Sequence, residues 1–584
     1  MTTNWIERIP EKFKPPSKFL IPLLFILNVV LVFPVFFPNL SDIGLWDESI
    51  YINSGRGLVD GGLLQRFAWN PLLSFLYGLI YIPIKGTTFW LIHSCTIGRF
   101  ILFGLMWWSA YLVSKQLIHL SHPFIMIALL IISPALTYLL PNPSDALFTA
   151  MSAFALWQVL SFYNEKKLKH VWMASLFVGL SALSRNDGLI LFCIFIILVV
   201  FLSIPIKRFK TSLVAGVLPF AVLVGGYFVL YGLVSGVFKL GIIERTYIAF
   251  EQGQGFAYEY PVGHGMLDAR KIYGTPEENQ YSIISAIKRN PRAFLDRVHQ
   301  TVKTSPKKIY FMYGERAGII IFLLAMAGAV EIARKRFYLI FVILLMWSAH
   351  IVVYLLTFYR HTYFLFPYFV VFSFASVSLN FILYHMNKRR LIVWTVLLLG
   401  LALLGLMTSR PNVFSASLIF LIGLWVVKII VNRYQDREAI KPVAIILALG
   451  ILFLLKADYP LPKFRALGIN PDERAVLFMK EHLDPGSVVF AEAPGPVWVG
   501  KMRFRPLDFN LLNLSEQDIF RLITSFNGKA VYVNNALRYF EPVVVAKIEK
   551  MIGKEFKVGF RSENGEVEVL LVNNKAMQNL KADR

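Results

Sequence analysis

Long apolar runs separated by short basic turns dominate the chain. Each run is about 14 to 24 residues, the length a helix needs to cross a bilayer while satisfying its own backbone polar groups. Basic clusters recur between the runs: Arg8/Lys12/Lys14/Lys18, Lys115, Lys166/Lys167/Lys169, Lys207/Arg208/Lys210, Arg334/Lys335/Arg336, Lys388/Arg389/Arg390 and Arg433/Arg437/Lys441. Placing all of them in the cytoplasm predicts about thirteen crossings. They fall near 19–38, 89–113, 123–140, 145–163, 171–184, 187–205, 211–234, 315–333, 338–358, 363–385, 391–408, 413–431 and 439–456. The N-terminus is then inside and the C-terminus outside. Pro71–Ile84 is apolar but short, follows Asn70-Pro71, and would break the alternation. It reads as an interfacial or re-entrant helix on the outer side; the alternative is that it crosses and another segment does not. The first run follows a charged start, as in a signal peptide. Its length and the lack of a small-residue cleavage site after it predict a retained membrane helix.

From Asp458 the pattern becomes mixed, with Pro460-Leu461-Pro462 as a linker. Asp472–His482 reads as a helix, flanked by Pro471 and Pro485-Gly486. Residues 487–491, 530–533 and 567–572 read as strands. The expected organisation is therefore a polytopic α-helical membrane region, 1–456, followed by a soluble extracytoplasmic α/β domain, 457–584. Within the long outer loop 235–314, the Gly- and Tyr-rich stretch Gln252–Tyr260 reads as loop, and a helical portion is expected near 281–305.

Composition narrows the class. Of 584 residues, 56% are hydrophobic and 16% charged, which excludes an ordinary soluble globular protein. The net charge of +23 sits in short loops between apolar runs, so it suits orientation and anionic membrane lipids, not nucleic acid. Cys95 and Cys193 lie in apolar surroundings and form neither a disulfide framework nor a zinc pattern. This topology gathers the loops 39–70, 141–145, 184–187, 235–314 and 359–361 on the outer face, while the inner loops are short and basic.

Candidate chemistry lies in those outer loops. Asp47-Glu48 follows the first apolar run. One charged residue costs roughly 2.5–3.5 kcal/mol at the centre of a membrane helix, so a water-accessible recess is expected. The pair is a candidate general base or metal ligand, against the bland alternative of a solvated loop start. Asp145 begins a helix after Pro141-Asn142-Pro143. It, or Ser144, caps that helix, or it is a second carboxylate facing Asp47. Arg185 and Asp187 interrupt an apolar hairpin and read as a mutual ion pair or as part of a site. Arg99 lies inside an apolar run and needs an anion, either a lipid phosphate or a carboxylate on a neighbouring helix. Arg360-His361 suits phosphate binding or interfacial anchoring. His264 and His299 read as surface residues. No Walker loop, His-Glu-x-x-His or Gly-x-Ser-x-Gly occurs, and Gly253-Gln254-Gly255 lacks the preceding strand of a phosphate loop.

Several of these motifs together resemble a known family. Trp46-Asp47-Glu48…Tyr51, Asn70-Pro71-Leu72 opening an apolar helix, Ile97-Gly98-Arg99, Asp145 at a helix start, Ser184-Arg185, and Arg360-His361-Thr362-Tyr363-x-x-x-Pro367 look like those of the GT-C glycosyltransferases. They resemble in particular the branch of aminoarabinose transferases and protein O-mannosyltransferases, over most of residues 19–385. The resemblance implies a polyprenyl-phosphate sugar donor, a lipid, glycan or protein acceptor, and an active site on the outer face of the cell membrane. It implies that Asp47 is the base activating the acceptor hydroxyl and that Glu48 tunes it or holds a divalent metal, with no nucleotide site required. Asp145 would shape the same cavity. Arg99, Arg360, His361, Arg185, Asn70 and Tyr51 form the expected substrate and lipid-phosphate set. Many relatives carry His-Pro-Pro or Lys-Pro where this chain has Asn70-Pro71, and Asn70 brings no charge. The phosphate contact of that position would then fall to Arg99 or Arg360. A transporter or flippase, or a non-catalytic envelope scaffold, remains the competing class on topology alone.

Overall fold

The computed structural model describes residues 20–38, 45–61, 71–117, 135–236, 242–259, 262–312, 316–334, 337–356, 365–385, 388–407, 471–507 and 514–573, and isolated positions among 126–130, 363, 414–429 and 511–512. Statements below concern these residues. Asn70, Arg360 and His361 lie outside them, as does the expected crossing 439–456.

The chain is mostly helical. Helix α1 (Leu20–Val32) ends in a 3-10 turn, Phe33–Phe36. There follow α2 (Leu45–Val59), α3 (Pro71–Ile84), α4 (Trp90–Gln116), α5 (Pro143–Glu165), α6 (Leu168–Ser184), α7 (Gly188–Ser203) and α8 (Phe209–Phe220). Pro219 cannot donate to the helical ladder, and a π-helical turn, Ala221–Gly225, follows it before the helix resumes over Gly226–Ser235.

Three described helices are long and apolar enough to cross a membrane: Trp90–Gln116, Pro143–Glu165 and Phe209–Val234. They coincide with the expected crossings 89–113, 145–163 and 211–234. Several other expected crossings fall on apolar helices of 10–17 residues, including Leu168–Ser184, Gly188–Ser203 and Tyr338–Val352, so the expected count of about thirteen crossings is not reproduced by length and composition. Pro71–Ile84 is one of these shorter helices. At 1.5 Å per residue it spans roughly 21 Å, less than the hydrocarbon core. The two longest types of surface differ as their surroundings require. Helix α5 is buried on all sides, whereas the run from α8 exposes Val214, Val222, Val229, Leu230 and Leu233, as a lipid-facing helix does.

The segment read as a Gly-rich loop is helical. Helix α9 (Ile242–Tyr258) runs through Gly253 and Gly255 and packs on α10 (Val262–Tyr273). Gly265 lies directly on the backbone of Gly255, where a methyl group on Gly265 would overlap. The glycines therefore serve a close helix crossing. Tyr247, Phe250, Ala269, Tyr273 and Ala286 fill the small core beneath, with Arg297 laid across Phe250 at 4.1 Å. Burial of that guanidinium pulls Arg297 down to about 10.

The C-terminal part holds a five-stranded sheet of β1 (Val488–Ala491), β2 (Arg503–Pro506), β3 (Gly528–Val533), β4 (Phe556–Arg561) and β5 (Glu568–Val572), in the order β2-β1-β3-β5-β4. β1 is parallel to β2 and β3, while β5 is antiparallel to β3 and β4. Alternation along the strands serves two layers. Val531, Val533 and Leu570 pack on Ile519, Ile523, Val544 and Ile548. Ala530, Tyr532 and Val569 face the other way, into the core that includes Val476, Met479, Val497 and Val499. Those last four belong to α11 (Pro471–His482) and α12 (Pro494–Val499). Helix α12 meets α2 and α4, with Gly495 against Ser49 and Leu91.

Candidate active site

Helix α2 carries the Asp47-Glu48 pair in its first turn. Its inward face is Glu48, Ile52 and Gly55, spaced by four and three residues. Gly55 lies on the backbone of Ser74 and Gly78 in α3, leaving no room for a side chain. That contact draws α2 and α3 together and brings Tyr77 beneath Glu48.

Glu48 is wholly buried. Its Oε1 accepts from the Tyr77 hydroxyl at 2.5 Å, and its Oε2 accepts from Arg99 Nη2 at 2.9 Å and Nε at 3.2 Å. Arg99 Nη1 donates to the Val35 carbonyl at 2.6 Å. One buried guanidinium thus ties the end of α1, the start of α2 and the middle of α4. Gly98 makes room for this arrangement, since a side chain there would collide with the Tyr77 ring. Of the two partners the sequence left open for Arg99, a phosphate or a carboxylate, the structure supplies the carboxylate. Asp47 stands one residue before Glu48, about 100° round the helix, and is placed by its backbone. Tyr51 is half-buried one turn further on.

Both carboxylate oxygens of Glu48 accept from described donors, which does not fit a divalent ion held by that side chain. Among the described residues, no group of three or more His, Cys, Asp or Glu side chains is arranged to hold a metal.

Tyr77→Phe isolates one strand of this clamp. The substitution keeps the ring and removes the donor to a buried carboxylate, so it should cost about 1–3 kcal/mol of stability. Thermal unfolding in detergent measures it, and an unchanged midpoint would remove Tyr77 from the account.

A second polar cluster joins three other elements. Arg185, in extended backbone at the end of α6, donates to Asp145 and, through Nε, to Asp187 at 2.7 Å. Its guanidinium lies 4.7 Å from the Tyr363 ring centroid and 5.3 Å from that of Phe366. The Arg185–Asp187 pair read from the sequence is present, and Asp145 joins it. Neither Asp145 nor Ser144 caps α5: Asn142 holds the cap position, Pro143 opens the helix, and no side-chain cap bond forms. Asp145 faces Arg185 from the first turn instead.

Sequence reasoning missed a third group, at the far end of α2. Asp60 accepts from Lys85 at 2.6 Å and from Arg56 at 3.2 Å, with the Tyr81 hydroxyl at 3.4 Å. Burial would push the Asp60 carboxyl up, but Lys85 and Arg56 outweigh it and hold the group below its ordinary value. Ser74, Tyr77 and Tyr81 recur at helical spacing along α3, and that polar-tipped stripe on an apolar helix was the available signal.

A short helix, α2, is thus clamped by an arginine of the long helix α4, and a small sheet lies in the C-terminal part of the same chain. No protein-family model matches the chain, and no curated protein matches it in sequence. Among solved structures, the chain is similar to the aminoarabinose transferase ArnT from Cupriavidus metallidurans bound to undecaprenyl phosphate, at 12% identity and TM-score 0.54 over 96% of this chain and 99% of that one. The apo state of the same enzyme gives 12% identity and TM-score 0.56 over 95% and 98%. The oligosaccharyltransferase AglB from Archaeoglobus fulgidus, in complex with an inhibitory peptide and a dolichol-phosphate, gives 14% identity and TM-score 0.50 over 95% of this chain and 74% of that one. At these identities the likeness is one of fold.

Proposed function

We propose that the protein is an integral-membrane glycosyltransferase that moves a sugar from a polyprenyl-phosphate donor to an acceptor hydroxyl on the extracytoplasmic face. One observation carries the reading. Glu48 is taken up by Arg99 and Tyr77, so the first turn of α2 is held rigidly, and the family resemblance assigns the reacting carboxylate of that turn to Asp47. Rigid support of this kind is what a reacting carboxylate needs. The neighbour ArnT is bound to undecaprenyl phosphate and AglB to a dolichol-phosphate, which agrees with such a donor.

The step is a single displacement. The acceptor oxygen attacks the anomeric carbon, its proton passes to Asp47, and the bond from that carbon to the phosphate oxygen breaks. Polyprenyl phosphate leaves as a stable anion and needs no acid, only cationic stabilisation. Arg99 is committed to Glu48, and Arg185 to Asp145 and Asp187. Arg360, with His361, is therefore the proposed phosphate cation. Attack from the opposite face inverts the anomeric centre. The extracytoplasmic placement of the active site, and of 457–584 as a separate domain, belongs to the same proposal.

Mass spectrometry of envelope lipids and glycans from a deletion strain tests it. One sugar should be missing from one acceptor, with the polyprenyl-phosphate sugar accumulating. An unchanged glycan and lipid profile would contradict the proposal.

A further inference from the structure

A cavity of about 890 Å³ opens between α2, the turn after α3, and the C-terminal elements. Its size lies within the range of small-molecule sites, roughly 300–1,000 Å³. Arg56, Lys85, Lys480 and Lys501 line it, against the single carboxylate of Asp60. Asp60 is already bonded to Lys85 and Arg56. Lys480 and Lys501, from the other wall, pair with no carboxylate among the described residues. Burial and the neighbouring Lys501 ammonium both pull Lys480 below its ordinary value, a repulsion that a bound anion would relieve.

Lys501 holds a second clue. Its backbone sits at φ 63°, the left-handed region that favours glycine. Hydrogen bonds from its N–H to the Trp498 carbonyl and from Gly486 N–H to its own carbonyl, each 3.0 Å, fix it there. A turn that glycine would fill more cheaply carries an ammonium into a basic cavity. Strained positions of this kind concentrate at binding sites.

The remaining lining suits a sugar. Trp498 is half-buried, edge-on to Phe504 with ring centroids 6.1 Å apart. An indole face attracts the C–H face of a pyranose, because its π-cloud is negative and those hydrogens are weakly positive. Asn53, Thr87 and Thr88 add neutral groups that both donate and accept.

We propose that this cavity binds an anionic saccharide, one bearing a phosphate or carboxylate, as the recognition subsite for the acceptor. This rests on the glycosyltransferase reading above. Arg56 lies nine residues beyond Asp47 on α2, about 14 Å along the axis. Helix α12 covers the interval, with Gly495 on Ser49. An acceptor anchored in the cavity by its charged sugar thus lies along α2 and presents a hydroxyl near the first turn.

Calorimetric titration of the purified full-length protein tests this with a uronic-acid disaccharide and glucose 6-phosphate, maltose serving as the neutral control. The wild type should bind the charged sugars at least about tenfold more tightly than maltose, an advantage that falls with salt. Lys480→Gln should remove most of that preference. Lys501→Gly should do the same while leaving the unfolding temperature unchanged or raised, since glycine suits the backbone there. Asp47→Asn should bind as the wild type does, so a failed transfer reading and a failed binding subsite give different results. Equal affinity for maltose, or unaltered affinity in both lysine variants, would overturn the proposal. So would displacement of the charged sugars by phosphatidylglycerol but not phosphatidylcholine nanodiscs, which would make the cavity a lipid-headgroup site.

Discussion

Glu48→Ala should make the protein unfold far more readily than the wild type, by about 3–5 kcal/mol. The reason is the partner left behind. Arg99 is almost wholly buried in the middle of α4, and removing Glu48 leaves its charge with one backbone carbonyl, that of Val35, as its described partner. An isolated buried cation is among the most costly groups a fold can hold. Arg99→Ala strands the carboxylate instead and should cost a similar amount. Replacing both residues with methionine should recover much of the loss, because a buried ion pair contributes little beyond what packed apolar groups would. Unfolding of the four proteins in one detergent compares them. Additive losses, with no rescue in the double variant, would mean that the pair does not act as a unit.

Asp47→Asn should behave in the opposite way. The change keeps the shape of the residue and removes the proton acceptor. Transfer should fall by about 10²–10⁴-fold, the range supplied by a positioned general base, and the unfolding midpoint should stay where it is. The two neighbours are thereby separated: Glu48 is needed for the fold that carries the site, and Asp47 for the reaction. If both variants lost stability equally and activity only in proportion, the assignment of separate roles would be wrong.

The fold class was legible because a bilayer dictates its own pattern. Runs of apolar residues bounded by basic turns have few readings, and the helices Trp90–Gln116, Pro143–Glu165 and Phe209–Val234 lie where those runs lie. In the C-terminal part, the strands β1, β3 and β5 match the expected segments because each is largely apolar and buried, and the helix Pro471–His482 because Pro471 opens it and one face, Ala475, Val476 and Met479, is buried. The edge strands were not read. Arg503-Phe504-Arg505-Pro506 is exposed along most of its length, so no burial imposes alternation on it. β4 is interrupted by an irregularity between Val558 and Phe560, where Gly559 packs against Phe478 and Leu571. The Gly- and Tyr-rich stretch Gln252–Tyr260 was read only as part of the outer loop; it lies in a helix through Tyr258, where Gly255 meets Gly265.

The Arg185–Asp187 pairing was legible because the two residues are near neighbours in the chain, and the longer-range pairings were not. Composition says that Arg99 needs an anion, but only geometry selects Glu48, 51 residues away in the chain. Tyr77 was hidden in an apolar stretch, since a tyrosine at an interface looks the same as one bonded to a carboxylate. The basic cavity joins Arg56 and Lys85 to Lys480 and Lys501, groups separated by most of the sequence. No spacing rule connects them.

The central claim is glycosyl transfer from a polyprenyl-phosphate sugar, and reconstitution tests it most directly. The purified protein in nanodiscs would receive a radiolabelled undecaprenyl-phosphate sugar and an envelope extract as acceptor. The account predicts a new glycosidic product of inverted configuration and an equal release of undecaprenyl phosphate, both lost in Asp47→Asn. A donor that stays intact, or that crosses the bilayer with no new glycosidic bond, would contradict it.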